Sequence, residues 1–169
     1  PDILDWVSIP WGVVSLTEST PLESDDAVAL EKTYAAMREK VANAFADFAS
    51  RLPQNSGDHR LLGTSGTVTT LASVYLELPS YDRRAIDGLH LPTQAMREIS
   101  QTLASLPPAG RAQFPTIGHE RSDLVVAGCA ILESIIDIWP GERLGVADRG
   151  IREGILRALM ASGKRRGRR

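Results

Sequence analysis

The sequence predicts an α/β domain in which short strands feed helices through glycine-containing turns. Two observations carry this. The order strand, glycine turn, helix start occurs twice, at residues 59–78 and again at residues 143–161. The rest of the chain is strongly helical. An apolar residue recurs every three or four positions across residues 30–52, and residues 124–138 are apolar nearly all round. The first of these reads as a long helix laid on a sheet, the second as a helix buried on every side.

In chain order, residues 3–7 and 13–16 read as two short strands joined by a turn at Pro10-Trp11-Gly12. A polar connector carrying Pro21 follows. Ser24 or Asp25 caps a helix reaching about Leu52, its stripe formed by Leu30, Tyr34, Met37, Val41, Ala44, Phe48 and Leu52. Residues 53–58 are a loop. His59-Arg60-Leu61-Leu62 forms a strand, Gly63 to Gly66 the turn, and residues 67–78 a helix stopped by Pro79. Residues 85–91 read as a small strand or extended link. A helix over residues 93–106 places Met96, Ile99, Leu103 and Leu106 on one face. Prolines and glycines at residues 107–118 bracket a turn or a single helical turn. Ser122 caps the buried helix, which Pro140-Gly141 ends. Residues 143–147 are the last strand, and Asp148-Arg149-Gly150 turns into a helix over residues 151–161. Its apolar positions are Ile151, Ile155, Leu156, Leu159 and Met160.

Composition sets outer limits. The 169 residues suffice for one domain, or one lobe of a larger protein. The formal charge of −2 conceals an asymmetry: five of the 19 basic residues lie in the last six positions, Lys164 to Arg169. Without those five, 14 basic residues face 21 acidic ones, so only local positive sites can attract a polyanion. The body is therefore assigned to residues 1–162, and residues 163–169 to a disordered basic tail. That tail can draw any polyanion in a salt-sensitive way, but no aromatic interleaves it, so nucleic-acid stacking is not expected. Cys129 is the only cysteine, which rules out an intramolecular disulfide and fits a reducing cytoplasm. It lies in the apolar run, where a small buried side chain is expected rather than a nucleophile. That run is too short, and too interrupted by Glu133 and Asp137, to span a bilayer. The chain opens Pro1-Asp2 and is read as a piece of a longer protein.

The turn Gly63-Thr64-Ser65-Gly66-Thr67 is the candidate site. Glycines let a backbone approach an anion, the first amides of a helix point outward, and the helix dipole favours negative charge there. The plainer reading, a tight turn with Ser65 or Thr67 as helix cap, stands beside it. The turn has no lysine, so it is not a Walker-type loop. The second turn supplies cations, Arg149 and Arg152, each able to grip phosphate oxygens as a fork. Asp148 reads as a cap, with contact to a cation as the alternative, and Arg121 with Asp123 as a polar corner explained by a salt bridge or cap. His59, His90 and His119 lie apart with no carboxylate or cysteine at ligand spacing, and no nucleophile–base pair is present.

Five blocks in order resemble a known family: Ser8-Ile9-Pro10-Trp11-Gly12-Val13-Val14-Ser15-Leu16-Thr17-Glu18; residues 63–72, from the glycine turn into its helix; Tyr81-Asp82 with Asp87-Gly88; residues 121–132, opening Arg121-Ser122-Asp123; and residues 143–154, containing Asp148-Arg149-Gly150-Ile151-Arg152-Glu153-Gly154. They are similar to the exopolyphosphatase / guanosine pentaphosphate phosphohydrolase group, within the actin–Hsp70–sugar kinase superfamily. Two departures fall in these blocks. Ser65 replaces a glycine, and Asp87 stands where the family usually has histidine.

The resemblance implies an RNase H-like (actin-like ATPase) α/β lobe, a mixed sheet with helices on its faces. It implies magnesium-assisted hydrolysis of a terminal phosphoanhydride in inorganic polyphosphate or guanosine pentaphosphate, in a cleft between two lobes. The family's water-positioning glutamate and its other phosphate loops belong to a stretch preceding Pro1. This chain is then the second lobe, partner to a missing N-terminal lobe, with no catalytic residue and no metal ligand of its own. Its substrate-binding residues are Gly63, Thr64, Ser65, Gly66 and Thr67, with Arg149 and Arg152. A homodimer is implied as well. The alternative is a non-catalytic polyphosphate or nucleotide sensor of the same fold.

Overall fold

The computed structural model describes residue 3 and residues 5–52 and 60–166. The expected loop at residues 53–58, His59 and the last three residues lie outside the described part. The chain does not open on a hairpin. Residues 5–9 are without strand pairing, and Val13–Ser19 is a helix, α1. The sequence pattern misleads because β-branched residues crowd the turn, whereas local hydrogen bonds favour a helix start. The Ser15 hydroxyl accepts the Gly12 amide at 2.9 Å, and Leu16 is fully buried once the helix forms.

Helix α2 (Ala27–Arg51) is capped by Asp26, not by Ser24 or Asp25: its carboxylate accepts the Ala29 amide at 2.9 Å. The buried stripe runs Leu30, Tyr34, Met37, Val41, Phe45, Ala49, so beyond Val41 it advances by fours and leaves Ala44 half-buried. The reason is Trp139, whose ring meets Phe45 and Phe48 edge-on with centroids 5.7 and 6.0 Å away.

Strand β1 (Leu61–Gly63) enters helix α3 (Gly66–Tyr75). Residues 85–91 are not one strand. A single helical turn, α4 (Arg83–Ile86), is capped by Asp82, and β2 (His90–Pro92) follows. Helix α5 (Thr93–Ser105) then leads through two short turns, α6 (Pro108–Arg111) and α7 (Gly118–Arg121), into α8 (Leu124–Ile138). Ser122 does not cap α8; its hydroxyl donates to the His119 carbonyl at 2.9 Å. Strand β3 (Arg143–Val146) and helix α9 (Ile151–Arg166) complete the chain. The last helix thus passes the expected boundary at residue 162 and continues through Arg166, in keeping with the helix-forming Ala, Met, Lys and Arg that populate it.

The sheet is mixed, in the order β1-β3-β2. Strand β1 runs parallel to β3, pairing Leu61 with Leu144 and Gly63 with Val146, while β2 is antiparallel, pairing His90 with Gly145. Helix α8 is the hub: α1, α2, α3 and α5 all pack on it. Its all-round apolar character is interrupted inside by Ser134 and by Glu133, which is 0% exposed and faces Arg38 of α2 at 3.4 Å. Arg97 of α5 joins Asp137 at 2.6 Å, so ionic contacts tie α2, α5 and α8 together. Cys129 is buried here with its thiol pushed up to about 12, chiefly by burial. No helix among the described residues is long and apolar enough to cross a membrane.

Candidate functional site

The bend after β1 is built by one close approach. A Cβ on Gly63 would lie 2.5 Å from Val68 Cγ2, so only glycine lets the strand end run against the first turn of α3. Ser65 is extended and caps the helix, its hydroxyl accepting the Val68 amide at 3.4 Å. Thr69 takes the Ser65 carbonyl. The cap expected from the sequence is therefore present, yet it satisfies only part of the helix end. The amides of Gly66 and Thr67 have no acceptor among the described residues. Thr64, Ser65 and Gly66 are exposed, and the space where a Gly66 side chain would project is open to at least 4 Å.

Two cavities flank the bend. One, of about 260 Å³, is lined by Val13, Ser65, Gly66, Thr67, Thr70, Arg121, Leu124 and Val125. The other, of about 410 Å³, lies between Gly12 and Val13 on one side and Leu61 to Ser65 on the other, over Ile131 and Ile135. The bend is thus an accessible saddle between grooves, with helix-end donors, three hydroxyls and an arginine at hand.

That arginine is Arg121, which the sequence reading placed in a salt bridge or cap. Among the described residues it is in neither, and Asp123 makes no side-chain cap bond. Its corner is held from below by Arg111, only 4% exposed, whose guanidinium donates to the Leu103 carbonyl at 2.9 Å and the Ser122 carbonyl at 3.0 Å. A second residue missed in the sequence is Gly128 of α8. A Cβ there would stand 2.2 Å from Thr67 Oγ1, so its absence lets the bend's helix lie on α8. The signals were the arginine just before an apolar helix and a glycine inside it. Neither has a preferred meaning without the fold.

Parallel pairing brings the two glycine turns to one sheet edge: the Ala147 amide donates to the Gly63 carbonyl at 2.9 Å. Arg149 and Arg152 nonetheless line neither cavity at the bend. Arg149 is paired with Asp87, donating through Nη2 at 3.0 Å and Nε at 3.3 Å, while the other Asp87 oxygen accepts the Asp148 amide at 3.0 Å. These bonds, the Asp148 amide first, hold the Asp87 carboxyl below the usual carboxylate range. Asp148 touches a cation, binding Arg83 at 3.1 Å, and also accepts the Tyr81 hydroxyl. Glu153 accepts the Gly150 amide at 2.8 Å. Arg152 is exposed on α9.

A mixed sheet carrying helices, with an exposed strand-to-helix bend at its edge, is a lobe of the actin-like ATPase fold. The chain belongs to the Ppx/GppA phosphatase family, whose model matches residues 2–162. No curated protein matches it significantly. Among solved structures, an exopolyphosphatase from Cytophaga hutchinsonii superposes with a TM-score of 0.79 at 17% identity, over 95% of this chain and 51% of that one. An Aquifex aeolicus member of the Ppx/GppA family gives 0.74 at 23% identity, over 93% and 49%. The type II variant of the Aquifex aeolicus Ppx/GppA phosphatase gives 0.71 at 24%, over 89% and 47%. The chain spans about half the length of these solved chains.

Proposed function

We propose that these residues are the second lobe of a phosphoanhydride hydrolase that releases terminal phosphate from inorganic polyphosphate or guanosine pentaphosphate. In this reading the lobe holds substrate phosphates at Gly63, Thr64, Ser65, Gly66 and Thr67. One observation carries it: two helix-opening amides without acceptors sit on residues that line an open groove, with Arg121 in the same lining.

Phosphoryl transfer needs positioned donors, charge stabilisation and an aligned water, with little covalent help. Donors and charge are present at the bend. No carboxylate lines either cavity; the family resemblance assigns the group that aligns the water to the other half of the protein. The magnesium that the family resemblance implies does not fit these residues alone. No three metal-ligating side chains converge among the described residues, and the bend offers donors and hydroxyls instead. The missing lobe has surfaces to cover: the β1 edge facing away from β3, with Leu62 at 66% exposure, and the apolar residues of α9, with Ile151 at 82%. A cytoplasmic setting, where the lone cysteine stays reduced, belongs to the same reading.

Phosphate release from polyphosphate and from guanosine pentaphosphate tests the proposal, measured for the intact protein and for these 169 residues alone. Release by the intact protein only is expected. Turnover by the 169 residues would overturn the assignment of the catalytic glutamate to the other half. Binding without turnover in the intact protein would favour the sensor of the same fold.

A further inference from the structure

We infer that Asp87 controls whether Arg149 takes part in anion binding, by holding its guanidinium on the β2 side of the sheet edge and so withholding it from the bend. This rests on the binding site proposed above and adds a residue that sets its strength.

The topology places Arg149 between two competitors. In the order β1-β3-β2, the bend follows β1 on one side of β3, and Asp87 precedes β2 on the other. Asp87 is anchored on its own side. The next residue, Gly88, donates its amide to the Val146 carbonyl at 2.9 Å, and one Asp87 oxygen takes the Asp148 amide. Arg149 follows β3 by three residues, and Ala147 is already bonded to Gly63. Reaching the bend means crossing one inter-strand spacing, about 4.8 Å, which an extended arginine side chain spans.

The guanidinium is turned the other way, and among the described residues its acceptor is Asp87 alone. The neighbouring carboxylates are occupied: Asp148 by Arg83 and Tyr81, Glu153 by the Gly150 amide. The pair is half open to solvent, with Arg149 59% and Asp87 23% exposed at the side chain, a setting in which ion pairs exchange readily. Removing the carboxylate therefore frees a fork-shaped phosphate donor beside the bend.

The test is the Kd of inorganic tripolyphosphate for the intact protein, by titration calorimetry at pH 8 with EDTA present to prevent turnover. Asp87→Asn keeps an acceptor for the Asp148 amide and removes the charge; Asp87→His is the second replacement. Melting temperatures report that each variant folds. Either substitution is expected to lower Kd about five- to tenfold, the size of one added charge-assisted contact. Combining Asp87→Asn with Arg149→Ala is expected to return Kd to within about twofold of Arg149→Ala alone. An unchanged Kd on Asp87→Asn or Asp87→His, while Arg121→Ala weakens binding, overturns this inference alone. So does a gain that persists in the double variant, since it would reflect general loss of negative charge. No saturable binding in any variant overturns the binding site itself, and this inference with it.

Discussion

Gly128 and Thr67 stand so close that a single added carbon on the glycine would fall 2.2 Å from the threonine hydroxyl and 2.7 Å from its methyl. The open end of α3 therefore rests on the bare backbone of α8. Replacing Gly128 with alanine must push α3 away or strain α8, a cost of about 1–3 kcal/mol. Denaturant titration of Gly128→Ala is expected to show that loss, with weaker tripolyphosphate binding. Adding Thr67→Ala, which removes both colliding atoms, is expected to restore most of the stability.

The two glycines of the bend are expected to separate folding from binding. Gly63→Ala meets Val68 at 2.5 Å and should destabilise the protein, whereas Gly66→Ala meets nothing within 4 Å and should melt like wild type. Its new methyl projects into the groove, so the same variant should bind tripolyphosphate less tightly. Equal losses of stability in both would count against this geometry.

Arg121 is exposed and unpaired among the described residues, so Arg121→Ala should change stability by no more than about 0.5 kcal/mol. Its loss removes the positive charge from the lining of the smaller cavity, and a rise of about tenfold in tripolyphosphate Kd is expected. Arg111→Ala, by contrast, removes a buried guanidinium that holds two carbonyls and should lower stability first.

Glu133 gives the protein a pH signature. Burial, acting against Arg38 and Arg97, raises its carboxyl above the ordinary range. The folded state then holds this proton more tightly than the unfolded state. Stability accordingly falls as pH rises from about 4.3, the unfolded value, through the higher folded value. Glu133→Gln cannot ionise and should lack that decline. The difference in melting temperature, variant minus wild type, is expected to grow as pH rises from about 4.3 and to level off above the folded value.

Cys129 is a built-in reporter of unfolding. Fully buried and with its thiol raised to about 12, it stays protonated and covered at neutral pH. Iodoacetamide is expected to label it only after denaturant opens the core. Rapid labelling of the folded protein would contradict the packing of α8.

Periodic segments were legible because their burial is dictated by spacing alone. Leu30, Tyr34, Met37 and Val41 follow the helical period and are buried, and residues 124–138 form the central helix their composition implies. Short elements were not. Residues 13–16 carry the β-branched pair Val13-Val14 yet start a helix, because the Gly12–Ser15 hydrogen bond and the seat for Leu16 outweigh a weak intrinsic preference. The stripe of α2 shifted past Val41 because Trp139, far along the chain, sits against Phe45.

The sequence by itself determined the alternation of glycine turns and helices, the buried α8, the glycine- and hydroxyl-rich bend at residues 63–67 and the family to which the chain belongs. Only the tertiary structure decided which cation reaches that bend. Arg149 and Arg121 are alike as residues, and what separates them is a partner 62 positions away in sequence: Asp87 engages the first, while the packing of α7 and α8 leaves the second in the lining of the groove. Local spacing sets which donors exist; long-range pairing sets which are already in use.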